Sequence, residues 1–260
     1  MENLKGRIAW VTGAGTGIGE AAAVALAREG ATVVLTGRRK QPLEAVAERI
    51  AESGGKAFAR PADVTNAAAV GNIAEGIRAE LGRLDILVNN AGSNIPDRNW
   101  QRLKPEGIDK VIQANLSSAF YVAQAVLPIM RAQKGGQLIH TASWAGRWIG
   151  PVSGPAYTAA KHGMVAMSHT LNLEEGQNGI RSCVICPGEV ATPILLKRPI
   201  PETPETMARM IQSEDMGRLI AFIANQPAHV CINEVLISPT HNRGYIGAMR
   251  ARAAQMAGER

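Results

Sequence analysis

Arg7-Ile-Ala-Trp-Val-Thr12 runs straight into Gly13-Ala-Gly-Thr-Gly17-Ile-Gly19, and that turn runs into the Ala-rich stretch Glu20-Ala-Ala-Ala-Val-Ala-Leu-Ala-Arg-Glu29. The first six residues have the length and apolar character of a buried strand, and the Ala-rich stretch carries its apolar residues at helical spacing. The glycines between them sit where a strand turns into a helix, the place where backbone N–H groups can approach a pyrophosphate. Their spacing is G-x-x-x-G-x-G over Gly13, Gly17 and Gly19; the commoner dinucleotide fingerprint counted from Gly13 would need glycine at Ile18. Taken alone, such a turn is also compatible with a strand-helix junction that binds nothing.

Outward from this junction the same alternation continues. Strand-length apolar runs fall at residues 7–12, 31–37, 56–61, 84–90, 135–143, 180–188 and 233–239, and helical patterns at 19–29, 42–53, 67–81, 105–132 and 156–176. Alternating strands and helices predict an α/β fold with a seven-stranded parallel sheet covered on both faces. Gly30, Gly54 and Gly82 follow three of the helical patterns and supply left-handed C-terminal residues. The Pro-rich run 192–206 breaks the periodicity and reads as a loop over a site. One domain over residues 1–242 is expected, followed by a basic tail, 243–260, with few apolar anchors, which is either frayed or docked on a neighbouring subunit.

Composition narrows the classes. Of 260 residues, 46% are hydrophobic, 19% charged and only 4% aromatic, so one aliphatic core is affordable. No run of about 18 apolar residues occurs, so no membrane span is expected, and the start MENLKGRIAWVTG lacks the apolar stretch of a secretory signal, which points to the cytoplasm. Three cysteines are too few for a disulfide framework, and Cys183 and Cys186, three apart on a strand, face opposite sides, so they are expected as buried thiols and no metal site is expected. The net charge of +6 comes from scattered Lys and Arg without interleaved aromatics, which disfavours nucleic acid and suits a phosphorylated cofactor.

Two further places carry chemistry. At the end of the second strand Gly37 stands where an acidic residue would hold the 2′-hydroxyl of NAD, and Arg38 and Arg39 follow with forks that suit a 2′-phosphate. A charge-assisted contact of about 1.5–3 kcal/mol would favour NADP roughly 10- to 100-fold, the alternative being a solvated pair at a helix start. Tyr157 and Lys161 are four apart on a helix that begins near Ser153-Gly154-Pro155, so they share a face. A free tyrosine titrates near about 10, and lowering that by about three units takes about 4 kcal/mol. A helix dipole supplies only about 0.3–1 kcal/mol. A neighbouring ammonium must supply the rest.

Together, Thr12-Gly-Ala-Gly-Thr-Gly-Ile-Gly19, Asn89-Asn90-Ala91-Gly92, Ser143, Tyr157-Thr-Ala-Ala-Lys161 and Pro187-Gly188 resemble the short-chain dehydrogenase/reductase family over roughly residues 5–240. The resemblance implies a doubly wound (Rossmann) sheet and a nicotinamide cofactor, NADP with NAD as the alternative. It implies cofactor contacts from Gly13, Thr16, Gly17, Ile18, Asp63, Val64, Asn90, Ala91, Gly92, Tyr157, Lys161, Pro187, Gly188 and Thr192, with Arg38 and Arg39 at the 2′-phosphate. It also implies a tetrad in which Tyr157 passes the proton, Lys161 lowers its pKa, Ser143 orients the carbonyl and Asn115 sustains a water chain to the lysine. For Asp63 and Asn89-Asn90, a helix cap and a turn are roles that can hold at the same time.

The function so implied is hydride transfer between a nicotinamide and a carbonyl or secondary alcohol of a small to medium substrate; a cofactor-sensing binding protein on the same fold is the rival. The run Pro227-Ala-His-Val-Cys-Ile-Asn-Glu-Val-Leu-Ile-Ser-Pro-Thr240 resembles a branch that oxidises small 3-hydroxy acids. Relatives pair the helices that hold Asn115 and Tyr157, which implies a homodimer or homotetramer. Trp144 and Trp148 are candidates for the pocket wall, for core packing or for a subunit contact, and Lys197 and Arg198 for an acidic substrate or for solvent.

Overall fold

The computed structural model describes residues 4–197 and 202–258. Seven strands form one parallel sheet: β1 (Ile8–Thr12), β2 (Thr32–Thr36), β3 (Lys56–Ala59), β4 (Ile86–Asn89), β5 (Gly136–Thr141), β6 (Ile180–Pro187) and β9 (Glu234–Ile237), in the spatial order β3-β2-β1-β4-β5-β6-β9. Every expected strand is present, each trimmed by one to three residues. Two two-residue strands, β7 (Val190–Ala191) and β8 (Ile211–Gln212), form a second small ladder that periodicity did not reveal.

Both faces of the sheet are covered. On one side α1 (Gly17–Arg28), α2 (Lys40–Glu52) and α8 (Ser213–Ala224) bury Leu26, Leu43, Ile50, Met216 and Ile220 against Val11, Val33 and Ile139. On the other side α3 (Ala67–Leu81), α5 (Ser118–Gln133) and α6 (Pro155–Glu175) cover Leu87, Leu138 and Val184. All five residues of β1 are buried, as a strand sandwiched between two helical layers must be. Cys183 and Cys186 lie in opposite layers, and burial pushes their thiols up to about 12 and about 11, so both are neutral packing groups. Gly30, Gly54 and Gly82 all have positive φ, as their places after helices require.

Four expectations need correction. The single helix expected over 105–132 is α4 (Pro105–Ile112), a π turn at Gln113–Ser117 and then α5. The Asn115 amide donates to the Val111 carbonyl at 2.8 Å and the Ser118 hydroxyl donates to the Ala114 carbonyl at 3.0 Å, so side chains take up carbonyls that α-helical N–H groups would otherwise use. The run 192–206 is not all loop: a 3₁₀ turn spans Pro193–Lys197 and α7 spans Pro204–Ala208. Arg198 and the Lys197 side chain lie outside the described residues. Helix α8 went unread beside the Pro-rich run. The tail forms helix α9 (Arg243–Gly258), anchored at its start rather than frayed: Arg243 meets the Glu189 and Glu202 carboxylates and the Tyr245 ring lies 5.5 Å from that of Trp144. Among the described residues no helix is long and apolar enough to cross a membrane.

Helices α1 and α8 approach so closely that a Cβ on Gly217 would stand 2.6 Å from the Ala21 carbonyl oxygen. Gly217→Ala gains about 1 kcal/mol of helix propensity. It also forces the two backbones apart, at about 1–3 kcal/mol. Thermal unfolding is therefore expected at a lower temperature, by a few degrees, whereas Gly71→Ala in α3, where nothing lies within 4 Å, is expected to raise it.

Candidate active site

The sheet order reverses direction between β1 and β4, and the crevice at their carboxyl ends is where a doubly wound sheet admits a ligand. The glycine turn forms one wall. Gly13 and Gly17 have φ of +66° and +60°, and a Cβ on Gly19 would stand 2.3 Å from the Gly13 carbonyl oxygen and 2.6 Å from Asn90 Nδ2, so no other residue fits there. Thr16, at the N-cap of α1, has an extended backbone and is exposed, and Ile18 packs into the core below.

The turn is clasped from β4. Thr12 Oγ1 accepts from the N–H groups of both Asn90 and Ala91 at 3.0 Å, and Asn90 Nδ2 donates to the Thr12 carbonyl at 3.2 Å. Thr12 was not foreseen as a bridging residue. From β6, Pro187 ends the strand, Gly188 N–H donates to the Ile237 carbonyl at 2.7 Å, and Thr192 returns to pack its Cγ2 3.1 Å from where a Gly17 Cβ would be. The chain from Pro187 to Thr192 therefore packs against the glycine turn at the edge of the crevice.

Beyond the carboxyl ends of β2 and β3, Arg38 and Arg39 are exposed and Val64 is buried. Burial pushes the Asp63 carboxyl up, but the Thr65 N–H and hydroxyl bonded to it and the Arg38 charge outweigh burial and hold it below the usual carboxylate range. Asp63 thus fixes its own turn; the cap of α3 is Asn66, which accepts from the Ala69 N–H at 3.1 Å. Gly37 faces open space apart from Leu43 Cδ2 at 3.5 Å from a Cβ position.

At the carboxyl end of β5, Tyr157, Lys161 and Asn115 come together from α6 and the π turn, and Ser143 stands two residues beyond the strand. Gly154, with φ +79°, lets the chain pass the Arg98 carbonyl and starts α6 at Pro155, which brings Tyr157 into the first turn. One turn on, Lys161 is 3% exposed, its Nζ donates to the Thr141 carbonyl at 2.8 Å, and the same nitrogen lies 5.5 Å from the Tyr157 ring centroid. Burial lowers the Lys161 pKa to about 8. Asn115 is held by the π turn: its Nδ2 donates to the Ser93 carbonyl at 2.6 Å and its Oδ1 accepts from the Ser93 N–H at 3.3 Å. A Cβ on Gly92 would stand 2.6 Å from Asn115 Oδ1 and 3.7 Å from Lys161 Nζ, so glycine there keeps the space between the two open. Ser143 caps the 3₁₀ turn Trp144–Gly146, its Oγ accepting from Ala145 N–H at 3.2 Å.

Trp144 packs between Trp148, at 4.7 Å, and Tyr245 of α9, at 5.5 Å, in tilted ring contacts, so the residue after Ser143 is braced by the C-terminal helix. Neither Tyr245 nor Arg243 was foreseen, because their contacts cross about a hundred and about fifty residues and leave no periodic trace.

With this geometry in place, comparison with known proteins is informative. A family model described as short chain dehydrogenase matches residues 7–201. An uncharacterised oxidoreductase of Staphylococcus aureus (strain USA300) is 34% identical over 239 residues, spanning 92% of this chain and 100% of that protein. A metagenomic short-chain oxidoreductase solved in complex with NADP superposes with a TM-score of 0.80 at 34% identity, over 93% of this chain and 100% of that one. An alcohol dehydrogenase from Thermococcus sibiricus, solved with 5-hydroxy-NADP, gives 0.82 at 26% identity, over 91% of this chain and 98% of that one. The chain belongs to the short-chain dehydrogenase family and is an oxidoreductase of that family.

Proposed function

We propose that this protein is an NADP-preferring oxidoreductase that interconverts a carbonyl and a secondary alcohol of a small to medium substrate, with Tyr157 as the acid/base. The observation that carries the proposal is the buried Lys161 ammonium, anchored on Thr141 and 5.5 Å from the Tyr157 ring, in a fold whose glycine turn accepts no Cβ at Gly19. Gly13, Gly17 and Ile18 would hold a pyrophosphate, Asp63 and Val64 the adenine end, and Asn90 to Gly92 the adjoining ribose. Pro187, Gly188 and Thr192 would meet the nicotinamide end, which, when bound, supplies or takes the hydride.

The chain's own part is to manage one proton. In reduction Tyr157 Oη donates its proton to the substrate oxygen while Ser143 Oγ hydrogen-bonds that oxygen and fixes its direction. The positive charge of Lys161 stabilises the tyrosinate left behind, and Asn115, held in the π turn, keeps a path for proton return to the lysine. In oxidation the same groups act in reverse. The rival, a protein that only senses the cofactor, gives no reason to bury an ammonium beside a tyrosine. Resemblance of residues 227–240 to a 3-hydroxy-acid branch suggests the first compounds to try. A homodimer or homotetramer acting in the cytoplasm on a free small molecule is the expected setting.

Tyr157→Phe removes the proton and leaves the dinucleotide contacts, so kcat is expected to fall by at least about 100-fold while NADPH binds within about threefold of wild type. Retained turnover sinks the acid/base assignment. Because the ammonium that stabilises the tyrosinate loses its charge as pH rises through about 8, carbonyl reduction is expected to decline through that region. A reduction rate that holds steady through that region would contradict it.

The cofactor choice rests on Gly37 and Arg38. NADPH is expected to bind more tightly than NADH, and Gly37→Asp with Arg38→Leu to invert the order, since the space at Gly37 admits a side chain and the new carboxylate repels a phosphate. Titration of both nucleotides at fixed ionic strength reads this directly; an unchanged ratio in the variant means that Arg38 is a solvated residue whose partner is only Asp63.

A further inference from the structure

His140, next to last on β5, is a buried imidazole with no part in the mechanism above. Strand alternation turns it to the α5 and α6 side of the sheet, between Leu138 and Ala142, whose side chains belong to the two clusters there. Asn89 and Val184 flank it across the ladder. Its exposure is 0%, and neither ring nitrogen has a hydrogen-bond partner among the described residues. Buried polar atoms without partners are rare, and two on one ring need an explanation.

Lys161 is the one charge that bears on the ring. Together with burial, the larger effect, it lowers the His140 pKa to about 3, so the imidazole stays neutral, with one N–H and one lone pair, throughout the working pH range. Four polar or polarisable groups on this side of the sheet are uncharged: Asn89 from β4, donating to the Ala119 carbonyl; Cys186 from β6, a neutral thiol; Asn115 from the π turn; and Met164 from α6; the Arg131 and Glu175 charges there pair with each other at the C-terminal ends of α5 and α6. The residue after His140 contributes the Thr141 carbonyl that Lys161 grips. An ammonium has three donors; that carbonyl takes one and the Met164 sulfur, at 4.0 Å, is a weak acceptor for a second, which leaves one.

We propose that His140 is a positioning residue for Lys161: its lone pair accepts from one internal water molecule, which in turn accepts from the Lys161 ammonium and holds it beneath Tyr157. The polarity is consistent along the chain, since the ammonium only donates, water does both, and the neutral ring has an acceptor to offer. A phenyl ring fills the same volume without that acceptor. An asparagine side chain restores an acceptor oxygen.

The proposal rests on the oxidoreductase reading, and it is tested with His140→Phe and His140→Asn in the full-length protein. His140→Phe is expected to lower kcat by about tenfold and shift the alkaline limb of the reduction profile, with the KM for NADPH within about twofold. His140→Asn is expected to return both kcat and the limb to near wild type, a pattern that a packing role would not give. Unchanged kcat and pH profile in the Phe variant overturn the proposal, as do equal losses in both variants that follow their melting temperatures. Should the Phe variant fail to fold, long-range ¹H–¹⁵N spectra of the histidine rings in wild type decide: a neutral His140 whose bare nitrogen has a hydrogen-bonded shift between about pH 5 and 9 supports the proposal, and a free-nitrogen shift overturns it. A hydrogen-bonded His140 in a wild-type protein without turnover would count against the oxidoreductase reading alone.

Discussion

The Lys161 ammonium, buried and tied to the Thr141 carbonyl, is the constraint around which the rest of the site is built. A charge taken out of water is tolerated only where fixed dipoles replace its hydration. The carboxyl end of β5 supplies one such dipole, and the surrounding chain is arranged to leave room for others. Gly92 has no side chain because a Cβ would press on Asn115 and crowd the lysine, and Gly146 has none because a Cβ would meet the Lys161 carbonyl at 2.8 Å. The π turn costs α-helical hydrogen bonds, and in exchange it carries Asn115 into contact with Ser93. That the lysine pKa is lowered only to about 8 leaves it charged at neutral pH.

The second organising feature is the set of close approaches at the crevice between β1 and β4. Gly19 against the Gly13 carbonyl, Asn90 and Ala91 on Thr12, and Thr192 on Gly17 join three strand ends that are far apart in sequence. These joints are made by glycines, an alanine and the short side chains of Thr12, Asn90 and Thr192, so the crevice is walled by backbone and short side chains. Such walls offer N–H groups at fixed positions, which suits a ligand made of phosphates and sugars. The tilted ring contacts Trp148-Trp144-Tyr245 brace the residue after Ser143 from α9, and the Arg243 ion pairs tie the start of that helix to Glu189 and Glu202.

What could be read from the sequence was what is encoded locally. The strands, the glycine turn and the four-residue step from Tyr157 to Lys161 are set by patterns within one element, and all occur where the pattern put them. The π turn could not be read, because the side-chain bonds that accompany it, from Asn115 to the Val111 and Ser93 carbonyls and from Ser118 to the Ala114 carbonyl, leave no periodic trace. Nor could the brace from α9, whose residues looked like an unanchored basic tail until Trp144 stood beside Tyr245. His140 is the clearest case: in the run Gln137-Leu-Ile-His-Thr it is one more strand residue, and only the fold reveals that its ring is fully buried, with neither nitrogen hydrogen-bonded among the described residues.

The measurement closest to the central claim is the ionisation of Tyr157 itself, followed by the ¹³Cζ resonance of labelled tyrosine in wild type and in Lys161→Met. With three tyrosines in the chain, Tyr157→Phe assigns the signal. Wild type is expected to ionise well below the ordinary tyrosine value of about 10, and Lys161→Met to return to that range or above it. A Tyr157 that titrates at the same pH with and without the lysine would contradict the claim that a buried ammonium makes this tyrosine an acid/base.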